Sequence, residues 1–245
     1  RRAGCAAAQA AEPPALDRVL ATLREAYVPV DPPPWVRARL RVLHEDPPVL
    51  GLPGFWPAEL CDELVRAALA TGTMVESRCT ADGERLSGIR TSSSLVLKPH
   101  ALARVGAGEL PRRLHRDLRG VLGIGGGAGL PELTGEYPQV ARYERGQYFQ
   151  AHEDAFPMGQ ALRSNYQRRV TLLVYLNDVG EGGETHFERL GLTVRPERGA
   201  ALLFFPARAD GTPDPRTSHE ARPAVDEKWI AQAWVGSPPA PARAR

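Results

Sequence analysis

The sequence predicts a mainly β protein with flanking helices, arranged as a jelly roll, and two observations carry that expectation. After residue 137 the chain breaks into short segments of period-two alternation, punctuated by glycine- and proline-rich turns. Before residue 120 the apolar residues recur instead at a spacing near 3.6. With 245 residues, 42% of them hydrophobic, the chain can bury one large β domain with helices packed on it.

The chain opens Arg1-Arg2 with an alanine- and arginine-rich, acid-poor stretch, the composition expected around a removed or missing N-terminal targeting segment. Residues 1–48 read as a helical, proline-rich extension, partly disordered, with helices over 15–27 and 34–45 separated by Pro32-Pro33-Pro34 and stopped by Pro47-Pro48. Residues 49–236 read as the main domain, and 237–245 as a disordered tail. Strands are expected at 49–55 and 95–97. A helix over 57–70 starts on Pro57, which suits a first helical turn, and buries Leu60, Leu64, Val65, Ala68 and Leu69. A further helix is expected over 100–119. Gly123 to Gly129 lacks the Lys-Ser/Thr of a phosphate-binding loop and reads as a flexible insertion.

The remaining strands are expected at 139–144, 148–153, 169–176, 185–188, 192–195, 200–205, around 218–220, and 228–235. Gly180 to Gly183, Pro196 to Gly199 and Asp210 to Pro215 supply the turns between them. In a jelly roll, strands distant in sequence become neighbours around an open mouth.

Within that array His152 and Asp154 form an H-x-D pair. On a strand, residues i and i+2 share a face, so both can meet one metal while Glu153 points away. Two imidazoles and one carboxylate cover one face of an octahedral Fe(II) and leave the opposite positions open to a co-substrate and O₂. Of the six histidines, His44, His100 and His115 lie in segments that read as helical. His186 and His219 compete for the third ligand position; His219, several strands downstream, suits a partner facing H-x-D across the mouth, and His186 suits it less well.

Lys228 opens the last strand. Among 31 basic residues only Lys98 and Lys228 are lysines, so a position that keeps lysine points to a need for a compact ammonium on a flexible stem. In the mouth it would hold the distal carboxylate of a dicarboxylic co-substrate. A surface lysine kept by chance is the competing explanation.

The run Gln139-Val140-Ala141-Arg142-Tyr143, the His152-Glu153-Asp154 pair, Arg169-Val170-Thr171-Leu172-Leu173-Val174-Tyr175-Leu176-Asn177, Gly182-Gly183-Glu184-Thr185, Ser218-His219-Glu220 and Glu227-Lys228-Trp229 together resemble the prolyl 4-hydroxylase catalytic domain. The matches run in order over roughly residues 88–235. The resemblance implies a double-stranded β-helix that uses Fe(II), 2-oxoglutarate and O₂, with ascorbate as reductant, to hydroxylate an unactivated C–H bond. It makes His152, Asp154 and His219 the catalytic iron ligands, and it pairs Lys228 with the C5 carboxylate of 2-oxoglutarate, assisted by the hydroxyls of Tyr143 and Thr171. It sets Arg90, in the segment Gly88-Ile89-Arg90-Thr91-Ser92, at the border of a substrate groove, where Phe149 and Trp234 would supply aromatic walls suited to a proline-rich peptide. For these two aromatics core packing is an equal alternative. Gly236, where the family often has a polar residue, and a short stretch between Asp154 and Arg169 depart from the pattern.

Peptidyl proline is thus the leading substrate; a free amino acid or small molecule, or a non-catalytic jelly-roll binding module, are the alternatives. A net charge of +2 argues against a nucleic-acid partner despite a pI near 8.6, and a lysine anchor argues against the arginine-anchored nucleic-acid demethylases. No apolar run approaches the roughly 20 residues of a membrane span. Three cysteines, Cys5, Cys61 and Cys79, cannot all pair within one chain; a bridge between Cys61 and Cys79 is open, and spacing does not establish it.

Overall fold

A computed structural model describes residues 14–77, 79–81, 84–86, 88–123 and 133–240. Nine strands build the larger sheet. In spatial order they are Arg41–His44, Val49–Leu52, Ala201–Phe204, Gln167–Tyr175, Lys228–Ser237, Gln139–Tyr143, Ser93–Val96 and Val75–Glu76, and Thr134–Gly135 pairs with the end of Lys228–Ser237. A second sheet has four strands in the order Leu192–Val194, Thr185–Phe187, His219–Ala221 and Phe149–His152. Cys79–Ala81 and Glu84–Leu86 form a separate hairpin. The strand pairings are antiparallel throughout. This is the expected mainly β jelly roll.

The strand Gln167–Tyr175 shows why the two sheets stack as they do. Side chains alternate between faces along a strand, and here both faces are buried. Val170, Leu172 and Val174 join the core beneath the helices, whereas Leu173 and Tyr175 join a second core between the sheets with Phe187, Phe204 and Ile230. Burial on both faces makes the run read as continuously apolar rather than alternating. The helices Pro14–Ala26, Ala58–Ala70 and Leu110–Leu122 cover the outer face, inserting Leu16, Val19, Leu23, Leu60, Leu64, Leu114 and Leu118 into the first core.

Several elements differ from the sequence expectation. The helix foreseen over 34–45 is only Pro34–Arg37; Arg41–His44 is instead an edge strand that pairs with Val49–Leu52 across the turn at Pro47-Pro48. Sheet pairing there outweighs the local helical spacing. The helix foreseen over 100–119 divides into Pro99–Ala103 and Leu110–Leu122, interrupted at Gly106, whose φ is 75°. The stretch after Asp154, expected as a loop, carries the helix Met158–Ser164.

Gly123 caps the Leu110–Leu122 helix at φ 68°, and a Cβ there would fall 1.8 Å from the Asp31 carbonyl oxygen. Only glycine fits this left-handed position. The rest of the glycine run, 124–129, lies outside the described residues, as do Cys5 and the ends 1–13 and 241–245. Cys61 is a buried free thiol, and the Cys79 side chain lies outside the described residues. Among the described residues no helix is long and apolar enough to cross a membrane.

Candidate metal centre and adjoining pocket

His152 closes the strand Phe149–His152 and His219 opens His219–Ala221, and the two are direct partners in the antiparallel register. Their rings lie 4.3 Å apart, tilted by 53°. Asp154 departs from expectation, because the strand ends at His152 and the aspartate sits in the bend beyond it. Strand geometry therefore does not aim it. Two donors do so instead: Thr171 Oγ1 at 2.7 Å and Trp234 Nε1 at 3.2 Å both donate to Asp154 Oδ2. The other oxygen, Oδ1, stands 3.7 Å from His152 Nε2. One ligand atom from each of His152, Asp154 and His219 lies within 4.8 Å of the other two, a spacing that one metal ion can bridge. His186, the competing histidine, faces Thr193 at 2.8 Å and is not part of this cluster.

The donor set suits divalent iron. Nδ1 of His152 lies 2.9 Å from the Gln150 carbonyl oxygen, and Nδ1 of His219 lies 3.1 Å from that of Thr217. A proton on each Nδ1 leaves each Nε2 lone pair for a metal, the usual way an outer hydrogen bond fixes the tautomer of a ligating histidine. His152 Nε2 is buried with no hydrogen-bond partner, a cost that a bound cation removes. Burial and the neighbouring His219 push the His152 pKa far down, keeping the ring neutral. Burial alone would raise Asp154, but His219, His152, Arg168 and the Thr171 hydroxyl hold it below the usual carboxylate value. Two imidazoles and one carboxylate are the facial set that binds Fe(II) with open positions opposite.

A small pocket adjoins the cluster, lined by Tyr143, Thr185, Lys228 and Gln232 together with Phe149 and both histidines. Lys228 is 1% exposed, and its Nζ donates to the Gly183 carbonyl oxygen at 2.6 Å. The rings of Tyr143 and Tyr175 lie 5.2 and 5.9 Å from it. Burial pulls its pKa down to about 7, with Glu184 opposing. Gly183 is required at this spot, since its φ is 68° and a Cβ would lie 3.1 Å from Lys228 Cδ. A buried ammonium that lines a pocket and has one neutral acceptor is suited to a carboxylate.

The other site residues fall in three places. Tyr143 is Lys228's register partner and lines the pocket as expected. Thr171 does not: it pairs opposite Trp234, six residues along the strand from Lys228, and its hydroxyl belongs to Asp154. Thr185 lines the pocket with Lys228 instead, and its hydroxyl accepts at 2.9 Å from that of Tyr175, whose ring stands 5.9 Å from the ammonium. The sequence placed Thr185 in a strand next to the Gly182-Gly183 turn but offered no register to bring it to Lys228. Trp234 likewise supports Asp154 rather than walling a groove, with the Arg168 guanidinium 4.2 Å above its ring. Phe149 stacks on the His152 ring at 3.5 Å and 9°. Arg90 packs over Phe149 at 4.8 Å and donates to Ser92 and Gln139, leaving Nη2 buried without a partner.

Comparison with known proteins accords with this chemistry. Residues 138–236 match the model of the 2OG-Fe(II) oxygenase superfamily. The chain is 33% identical over 205 residues to the probable prolyl 4-hydroxylase 6 of Arabidopsis thaliana, covering 74% of this chain and 66% of that one. It is 31% identical over 211 residues to prolyl 4-hydroxylase 1 of the same plant, covering 79% and 70%. Among solved structures, the viral collagen prolyl hydroxylase of Paramecium Bursaria Chlorella virus-1, in complex with 2-oxoglutarate, superposes with a TM-score of 0.57 at 25% identity over 77% of this chain and 96% of that one. A Trichoplax adhaerens prolyl hydroxylase, bound to a hypoxia inducible factor fragment, shares the fold with a TM-score of 0.58 at 18% identity, covering 90% and 88%. The fold, the histidine and aspartate cluster and these relatives together place the chain in the prolyl 4-hydroxylase family of 2-oxoglutarate- and Fe(II)-dependent oxygenases.

Proposed function

We propose that this protein hydroxylates peptidyl proline to 4-hydroxyproline, with one oxygen atom of O₂ entering the product and the other entering succinate as 2-oxoglutarate loses CO₂. The observation that carries the reading is the placement of the His152, Asp154 and His219 cluster beside a pocket that the buried Lys228 ammonium also lines. His152, Asp154 and His219 would hold Fe(II), which supplies the activation of O₂ and the oxidative decarboxylation. Lys228 would anchor the C5 carboxylate, with Tyr143 and Thr185 beside it. Thr171 and Trp234 keep one Asp154 oxygen occupied and so present the other. The aromatic stack of Phe149 on His152 narrows the approach and excludes water from one side. Arg90, with an unpartnered guanidinium nitrogen beside Phe149, would receive a polar atom of the substrate.

Peptide substrates are supported by the relatives, which include a collagen hydroxylase and an enzyme bound to a protein fragment. The test is succinate formation by the purified protein with Fe(II), 2-oxoglutarate and ascorbate, with and without a proline-rich peptide, read alongside the peptide mass. Peptide-stimulated turnover with a gain of one oxygen on proline supports the proposal. Turnover that leaves every proline unmodified overturns the peptide assignment and directs the search to free amino acids or small molecules.

A further inference from the structure

Outside the pocket lining, a buried carboxylate gathers several donors. Asp214 is 1% exposed and accepts from the Tyr27 hydroxyl at 2.6 Å, from the Arg216 backbone N–H at 3.1 Å, and from Arg216 Nε and Nη2 at 2.9 and 2.7 Å. Arg208 adds an ion pair at 3.3 Å, and Arg216 reaches on to Asp46 at 3.0 Å. None of these groups lines the pocket.

Their common product is a fixed backbone. The Asp214 side chain caps the 3₁₀ turn Pro215–Thr217 through the Arg216 N–H. Its backbone N–H donates to the Pro206 carbonyl oxygen at 2.8 Å. Its own carbonyl oxygen accepts from the Thr217 N–H at 3.0 Å and from the Thr217 hydroxyl at 2.7 Å. Thr217 is thereby held through both its amide and its hydroxyl, and its carbonyl oxygen is the acceptor 3.1 Å from His219 Nδ1. Tyr27 follows directly on the helix Pro14–Ala26, and the Ala26 carbonyl oxygen accepts from the Ala209 N–H, so the N-terminal helix is tied to the same loop twice.

We infer that the Tyr27, Asp214 and Arg216 cluster is a positioning brace for His219: it sets the Thr217 carbonyl that selects the histidine's tautomer, and so links the N-terminal helix to the metal centre. The inference rests on His219 being a metal ligand. Loss of a partner that orients a ligating histidine lowers metal affinity about 10- to 100-fold. A buried carboxylate serving only the fold would lower stability and leave metal affinity intact.

The experiment compares wild type with Asp214→Asn and Tyr27→Phe, and with Leu64→Ala, which removes a fully buried side chain from the core beneath the helices. Two quantities are read on the full chain: Co(II) affinity by calorimetric titration, and the His219 tautomer of the metal-free protein by ¹⁵N imidazole NMR. Asp214→Asn should weaken Co(II) about 10- to 100-fold and mix the tautomers. Tyr27→Phe keeps the ring and removes one donor, and should weaken Co(II) about three- to tenfold. Leu64→Ala should lower the melting temperature and leave both readouts unchanged. Wild-type Co(II) affinity and a single tautomer in the two brace variants overturn the inference, as does an equal affinity loss in Leu64→Ala. If Asp214→Asn fails to fold, Tyr27→Phe decides. Absence of Co(II) binding by wild type overturns the metal centre itself, a failure distinct from that of the brace.

Discussion

Replacing Lys228 by Met should move stability and co-substrate affinity in opposite directions. The ammonium sits at 1% exposure, and burial takes its pKa from 10.5 to about 7. The difference, 10.5 − 7 or about 3.5 units, corresponds at 1.36 kcal/mol per unit to about 5 kcal/mol when fully expressed, and to about 4 kcal/mol at pH 7, where the folded group is half protonated. Methionine of similar volume removes that penalty. It also removes the hydrogen bond to the Gly183 carbonyl and the attraction to two tyrosine rings, together about 2 kcal/mol. The variant should then be more stable by about 2 kcal/mol, raising the melting temperature by roughly 4–8 °C for a domain of this size. Loss of one partner of a buried charge pair costs about 2–5 kcal/mol in binding, so KM for 2-oxoglutarate should rise by at least about 30-fold. Thermal melting of the ligand-free protein and succinate formation against 2-oxoglutarate concentration measure the two effects. An unchanged KM would refute Lys228 as the anchor, and a lowered melting temperature would refute the desolvation argument.

Further outcomes follow from the same structure. The folded state releases the Lys228 proton near pH 7 while the unfolded chain holds it to about 10.5, so this group makes the ligand-free protein more stable as pH rises between those values. The stability gap between Lys228→Met and wild type should shrink by about 2 kcal/mol from pH 7 to pH 9, as followed by melting curves, and 2-oxoglutarate affinity should weaken as pH climbs past 7. Thr171→Val removes a 2.7 Å bond to Asp154 and should weaken Fe(II) or Co(II) about 10- to 100-fold with little change in 2-oxoglutarate KM; the reverse pattern in a metal titration and a kinetic assay would restore Thr171 to the co-substrate. Leu172→Ala, at a fully buried position beneath the helices, should cost about 2–5 kcal/mol in denaturant unfolding and leave the KM values alone.

The sequence disclosed the site better than the geometry that aims it. His152 and His219 are recognisable because ligand chemistry allows few residue types and because distant strands meet in this fold. Asp154 joins the cluster without the shared strand face that its i, i+2 spacing suggests, since the strand has ended before it and donors from Thr171 and Trp234 do the aiming. Thr171 and Thr185 look alike as threonines in apolar strands. Only the pairing of Thr171 with Trp234 and of Lys228 with Tyr143 separates a support for the aspartate from a neighbour of the lysine. Residues 41–44 were misread for a similar reason, as local spacing carries no sign of the partner strand that claims them.

The strand Lys228–Ser237 lies between Gln167–Tyr175 and Gln139–Tyr143, yet among the described residues it follows every other strand in sequence. During synthesis the two flanking strands therefore emerge from the ribosome well before the piece that fits between them. Each waits with an unpaired row of amides and carbonyls and with apolar side chains such as Val140 and Leu172 still exposed, the condition in which β segments join wrong partners. Lys228 and the Asp154 support from Trp234 arrive on that same late strand. A chain cut short before it lacks both, so its His152, Asp154 and His219 cluster stands without the Trp234 support and without the buried ammonium beside it.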